Sequence, residues 1–144
     1  MKNITLEIIA EITQDTGERQ VIDMTTEGSW YEKNGAYYMT YDESEMSGMA
    51  GSRTLLKIKD QVITMNRLGQ SHSKMVFDIN QAHNSIYHTP YGDFDMKIIT
   101  KKIDMAIDFQ ASEGYLDLEY EMILEAMSQS VNKMTIKVRP SYDD

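Results

Sequence analysis

The stretch Ile22-Asp23-Met24-Thr25-Thr26-Glu27-Gly28-Ser29-Trp30, followed after Asn34-Gly35 by Ala36-Tyr37-Tyr38-Met39-Thr40-Tyr41, decides the fold class. Its period is two. Ile22, Met24, Thr26, Gly28 and Trp30 fall on one face, and Asp23, Thr25, Glu27 and Ser29 on the other. A helix brings apolar residues round every three or four positions, whereas alternation marks a strand with one buried face. Asn34 and Gly35 both tolerate positive φ, so their place between two alternating runs predicts a two-residue hairpin turn.

The same period extends in both directions. Upstream, Ile4, Leu6, Ile8, Ala10 and Ile12 share a face, and Gln14-Asp15-Thr16-Gly17 turns the chain. Downstream, Arg53–Lys59 and Val62–Leu68 read as two strands joined at Asp60-Gln61. Met75, Phe77 and Ile79 share the next face, 80–82 turns, and His83–Thr89 returns. Pro90 ends that strand because it has no N–H for a central ladder. Leu116, Leu118, Tyr120, Met122 and Leu124 form another alternating set, and Met134, Ile136 and Val138 the last. Residues 121–129 are the best helical candidate but fit the alternation at least as well. Residues 42–51 read as an exposed loop, with Asp42, Glu43 and Glu45 as a solvated acidic cluster. Pro140 and the residues beyond it are expected to fray.

One irregularity is informative. Phe94, Met96 and Ile98 are apolar at even positions, while Ile103, Met105, Ile107 and Phe109 are apolar at odd ones. A regular strand cannot bury both sets on one face, so a β-bulge or bend is expected between Ile98 and Ile103.

Many hairpins in succession, each strand with one apolar face, predict an all-β antiparallel up-and-down barrel of about eight to ten strands. A β-sandwich is the alternative. Residues 1–140 read as a single barrel domain and 141–144 as a short acidic tail. A barrel of about eight strands is just wide enough to fill with side chains or to hold one small ligand.

The 144 residues are 41% hydrophobic and 26% charged, which is globular composition, and contain no cysteine. That removes disulfides, thiolate metal sites and a Cys nucleophile from consideration. The N-terminus alternates and lacks an unbroken apolar run, and no segment reaches the length of a membrane span, so a soluble cytoplasmic protein is expected. Net charge is −9, concentrated in residues 1–50, which hold three basic and ten acidic side chains. An acidic chain repels phosphate backbones and anionic membranes, which disfavours nucleic-acid and membrane partners.

The segments Met65-Asn66-Arg67-Leu68-Gly69, Tyr87-His88-Thr89-Pro90-Tyr91-Gly92, Thr100 and Leu116-Asp117-Leu118-Glu119-Tyr120 resemble, in order and spacing, the YwiB-like family of small bacterial proteins. The similar stretch runs from Gly28-Ser29-Trp30-Tyr31 to Val138. The resemblance implies a calycin-like barrel, related in shape to lipocalins and fatty-acid-binding proteins. It implies no activity and carries over no catalytic or binding residues.

Arg67 is the leading candidate for chemistry. It shares parity with Ile63 and Met65, and if that face is inward a guanidinium sits inside the barrel. Its fork of donors suits carboxylate or phosphate groups. Val62, Thr64, Asn66 and Leu68 on the other face leave the direction open. The expected ligand-contacting set is Arg67, Tyr91, His88 and Tyr120, with Tyr91 presented by the Thr-Pro-Tyr-Gly turn at the barrel mouth. The structural reading of Arg67 is a strand-end Arg bonded to an internal carboxylate or snorkelling to the barrel mouth, and that of Tyr91 is a turn residue.

His83 and His88 are five apart and face opposite ways, so a zinc site would need His72, His88 and a carboxylate gathered by folding; no metal and no cofactor is expected. Asp93, Asp95 and Lys97 read as an outward polar row. Among Trp30, Tyr31, Tyr37, Tyr38 and Tyr41, at least one of the adjacent Tyr37 and Tyr38 must face out. No serine-centred motif, phosphate loop or dinucleotide fingerprint occurs, so an enzyme is not expected. The leading expectation is a small, partly apolar and anion-headed ligand inside the barrel. The alternative is a non-enzymatic interaction or assembly module, including a homo-oligomer, using outer tyrosines or acidic faces.

Overall fold

A computed structural model of the chain describes residues 1–43, 51–125 and 128–141. Ten antiparallel strands follow one another: β1 (Lys2–Gln14), β2 (Arg19–Lys33), β3 (Ala36–Asp42), β4 (Arg53–Lys59), β5 (Val62–Leu68), β6 (Ser73–Phe77), β7 (His83–Thr89), β8 (Gly92–Asp108), β9 (Glu113–Leu124) and β10 (Ser128–Pro140). They form one sheet in the order β6-β5-β4-β3-β2-β1-β10-β9-β8-β7. Each strand therefore pairs with its sequence neighbours, except β6 and β7 at the two ends, and β1 also pairs with β10. The sheet curls into an up-and-down barrel that is nearly closed. Its two ends, β6 and β7, meet through one isolated bridge between His72 and His88, with both backbone N–H···O bonds at 2.9 Å. Among the described residues there is no helix long and apolar enough to cross a membrane.

The turns have the chemistry the sequence supplies. Asn34 (φ 54°) and Gly35 (φ 78°) take positive φ, as do Asp60 (φ 52°) and Gln61 (φ 67°). This geometry matches the twist of the flanking strands. The parity switch in β8 is resolved by a register shift between Thr100 and Lys102, which leaves Lys101 as the extra residue. The bulge puts both apolar sets, Phe94 to Ile98 and Ile103 to Phe109, against the same interior.

Two expectations are corrected. Ile79 lies beyond the end of β6 and is exposed, because the chain turns at Asp78. Pro140 is not frayed: it closes the β10 ladder opposite Ile4, and the Ser141 N–H reaches Asn3 O at 3.4 Å. The segment considered for a helix is strand up to Leu124 and again from Ser128; residues 126 and 127 lie outside the described part, as do 44–50 of the expected loop and 142–144 of the tail.

The two ends of the barrel differ. One is plugged. Phe109 lies 5.2 Å from the Trp30 ring and 5.7 Å from Tyr37, and Lys2 Nζ sits 4.6 Å above Phe109 while donating to its carbonyl at 2.7 Å. Below this plug Ile4, Leu6, Met39, Leu56, Ile63, Met65, Leu116, Leu118 and Ile136 fill the middle with almost no exposure. Each such side chain contributes about 1.5–3 kcal/mol when fully buried. Toward the other end the interior changes from apolar to polar.

Candidate functional site

One transverse row assembles the site. Register sets Gly28 opposite Tyr41, Tyr41 opposite Thr54, Thr54 opposite Arg67, and Arg67 opposite Ser73. Residues directly opposite in a ladder share a face. Tyr41 and Thr54 are buried, so Arg67 points inward with them. The direction that the alternation of β5 left open is thus fixed by its neighbours. Gly28 provides the space: a Cβ there would collide with the Thr40 carbonyl oxygen and lie 2.7 Å from Leu6 Cδ1, in the volume over which Tyr41 packs.

Glu43 continues the same face. Its backbone N–H donates to Ser52 O at 2.8 Å, which keeps the chain in register past Asp42. The solvated reading of Glu43 is therefore corrected: the residue is 8% exposed, and its Oε1 accepts a hydrogen bond from Thr54 Oγ1 at 2.5 Å. Asp42 stays outside and pairs with Arg53 at 3.1 Å, and Glu45 lies outside the described residues. The signal available in the sequence was parity, since Met39, Tyr41 and Glu43 alternate without a break.

Arg67 Nε stands 3.9 Å from Glu43 Oε1. That is ion-pair range but beyond a hydrogen bond. Among the described residues, three buried side-chain nitrogens lack a hydrogen-bond partner: Trp30 Nε1, His83 Nε2 and Arg67 Nε. Of these only Arg67 carries a permanent charge. Burial pushes the Tyr41 hydroxyl well above its ordinary range, the Glu43 carboxylate adds to this, and Arg67 and a Thr54 hydrogen bond oppose it. On the facing wall Tyr120 is opposite Thr100 and Asn132, with its ring 4.7 Å from Phe77. Burial also pushes its hydroxyl up, and the Arg67 charge again opposes.

Two cavities meet at Arg67. The inner one, about 150 Å³, runs between Ile8, Ala10, Ile22 and Met24 on one side and Tyr120 and Met134 on the other. The outer one, about 670 Å³, opens among Ser52, Gln70, Ser71, Ser73 and Tyr87. Arg67, Met75 and Met122 line both. Methionine, unbranched and polarisable, packs adaptably around irregular shapes.

Of the four expected ligand-contacting residues, the structure brings Arg67 and Tyr120 together. His88 instead sits at the barrel seam, stacked on His72 at 4.5 Å with its Nδ1 3.0 Å from Asp93 Oδ1. Tyr91 is 94% exposed in the β7–β8 turn, held by its N–H on Thr89 Oγ1, and lines neither cavity. Among the described residues no three His, Asp or Glu side chains converge as metal ligands. Tyr38 faces out, stacked on Tyr31 at 4.9 Å, while Tyr37 turns toward the plug.

A family model described as a domain of unknown function (DUF1934) matches residues 6–136. The chain belongs to this family. The chain is also similar to the uncharacterized beta-barrel protein YwiB of Bacillus subtilis (strain 168), 25% identical over 133 residues, which are 92% of this chain and 90% of that one. The crystal structure of the ywiB protein from Bacillus subtilis matches with a TM-score of 0.84 at 24% identity, over 97% of this chain and 92% of the other. A likeness at that identity speaks for the fold. The chemistry of the Arg67 end rests on this chain's own residues.

Proposed function

We propose that the barrel is a binding protein that takes a small, partly apolar ligand through its open end and holds an anionic group of that ligand against Arg67. The observation that carries this reading is the Arg67 Nε–H: buried, charged, without a hydrogen-bond partner among the described residues, and placed where two cavities join. A buried donor left unmade costs about 1–3 kcal/mol, more when charged. A carboxylate accepting from Nε would recover that cost, and the apolar walls would take the rest of the molecule.

The alternative, an interaction module using outer tyrosines, has less support. The Tyr31–Tyr38 pair lies beneath Lys57, 5.9 Å from the Tyr38 ring, an arrangement that accounts for these rings as sheet packing.

The test is nitrogen-15 NMR of the arginine side chains, of which the chain has four. The Arg67 Nε–H signal, assigned by its loss in Arg67→Gln, is expected to shift on adding propionate and to stay in place with propanol. Equal response to both, or to neither, contradicts the reading.

A further inference from the structure

The size and lining of the inner cavity narrow the ligand class. We infer that the ligand is a compact monocarboxylate whose apolar body is about one ring in size, an aryl or short branched acid, and not a long acyl chain. This rests on the Arg67 reading above.

The inner cavity is about 150 Å³. That is the scale on which a buried apolar cavity admits one benzene ring. Its walls include Ile8, Ala10, Ile22 and Met24. These offer dispersion contacts to a ring and no hydrogen-bonding side chain. Arg67, Glu43, Tyr41, Tyr120 and Asn132 bring polar groups to the cavity, and Gln20 and Lys133 also line it. A ring in the apolar part therefore directs a carboxylate on a short stem at Arg67.

A long chain cannot continue inward. Past the inner cavity the barrel is filled by side chains with almost no exposure, and the far end is closed by Trp30, Phe109 and Tyr37. Turned the other way, a chain would lie in the outer cavity, where Gln70, Ser71 and Ser73 stand beside Met75, Met96 and Met122 and would have their hydroxyl and amide groups desolvated by methylenes. That outer space suits water or a polar extension of the ligand near its carboxylate.

The experiment is a titration series on the full chain, by calorimetry and NMR, with phenylacetate, 3-methylbutanoate and dodecanoate. Wild type and the variants Arg67→Gln and Ala10→Leu are compared, each checked for folding by circular dichroism. Phenylacetate is expected to bind one to one and at least tenfold more tightly than dodecanoate. Arg67→Gln is expected to weaken phenylacetate at least tenfold. Ala10→Leu, which fills the inner cavity and leaves Arg67 in place, is expected to abolish phenylacetate binding. Should Ala10→Leu fail to fold, the ligand series in wild type decides alone. Tighter binding of dodecanoate that still depends on Arg67 overturns the size limit while leaving the anion site standing. No binding by any of the three acids, or binding indifferent to Arg67, overturns both.

Discussion

Arg67 Nε and Glu43 Oε1 face each other at 3.9 Å inside one end of the barrel, close enough to attract and too far to share a hydrogen bond. Thr54 anchors the carboxylate instead, donating to the same Oε1. Among the described residues the Arg67 Nε–H is thus balanced in charge and without a hydrogen-bond acceptor.

Glu43→Gln separates these two roles. The amide oxygen can still accept from Thr54, but the charge opposite Arg67 is gone. The ligand-free variant is expected to lose about 1–3 kcal/mol of stability, because a largely buried charge loses its partner. A bound carboxylate would no longer be repelled by Glu43, a repulsion of about 2–4 kcal/mol at separations of roughly 4–8 Å and an effective dielectric near 20. Phenylacetate affinity is therefore expected to rise at least tenfold, read by calorimetry. A fall in phenylacetate affinity would contradict a carboxylate bound beside Glu43.

Alkaline pH should unfold the barrel through its buried tyrosines. Burial raises both Tyr41 and Tyr120 in the folded state, whereas in the unfolded chain they titrate near the ordinary value of about 10. Above that pH the unfolded chain releases protons the folded barrel still holds, so stability is complete below it and is lost as pH rises. Tyrosinate absorbance is expected to show a late step coincident with loss of the β-sheet circular dichroism signal. In Tyr41→Phe and Tyr120→Phe that step should shrink by one tyrosine each. A smooth titration of all tyrosines in a folded protein would oppose this.

Gly28→Ala should disturb the site from outside it. The new methyl meets the Thr40 carbonyl oxygen and Leu6 Cδ1, neither of which can yield without moving a strand. Overpacking of this kind costs about 1–3 kcal/mol. Thermal unfolding is expected to fall accordingly, with the Arg67 Nε–H resonance displaced because Tyr41 and Thr54 lie between the two residues in the row.

Deleting Lys101 tests the bulge. Without the extra residue, Ile103, Met105 and Ile107 would move to the outer face of β8. The variant is expected to be insoluble or to lose its cooperative melt, whereas Lys101→Ala, which keeps the residue count, should melt within a few degrees of wild type.

The fold was largely legible because its information is local. Alternation marked each strand, the turns at Asn34-Gly35 and Asp60-Gln61 lay where positive φ was needed, and the parity switch after Ile98 announced the bulge. The site was legible only in part. Arg67 could be singled out by type, but its direction depended on the register with Thr54 and Tyr41, which is set across strands. Glu43 was missed because Asp, Glu, Ser and Gly around it have loop composition, while its burial comes from one backbone bond to Ser52. Tyr91 was grouped with Arg67 through its turn at the barrel mouth, and His88 with it; the β7–β8 turn and the seam hold them elsewhere.

The proposed ligand at this end of the barrel is held through Arg67. Native mass spectrometry of the untagged protein, gently purified from its source cells, tests it most directly, with Arg67→Gln prepared alongside. A reproducible added mass is expected on the wild-type chain, released by denaturation and absent from Arg67→Gln. A clean apo mass in the wild type, or an adduct that Arg67→Gln retains in full, would contradict it.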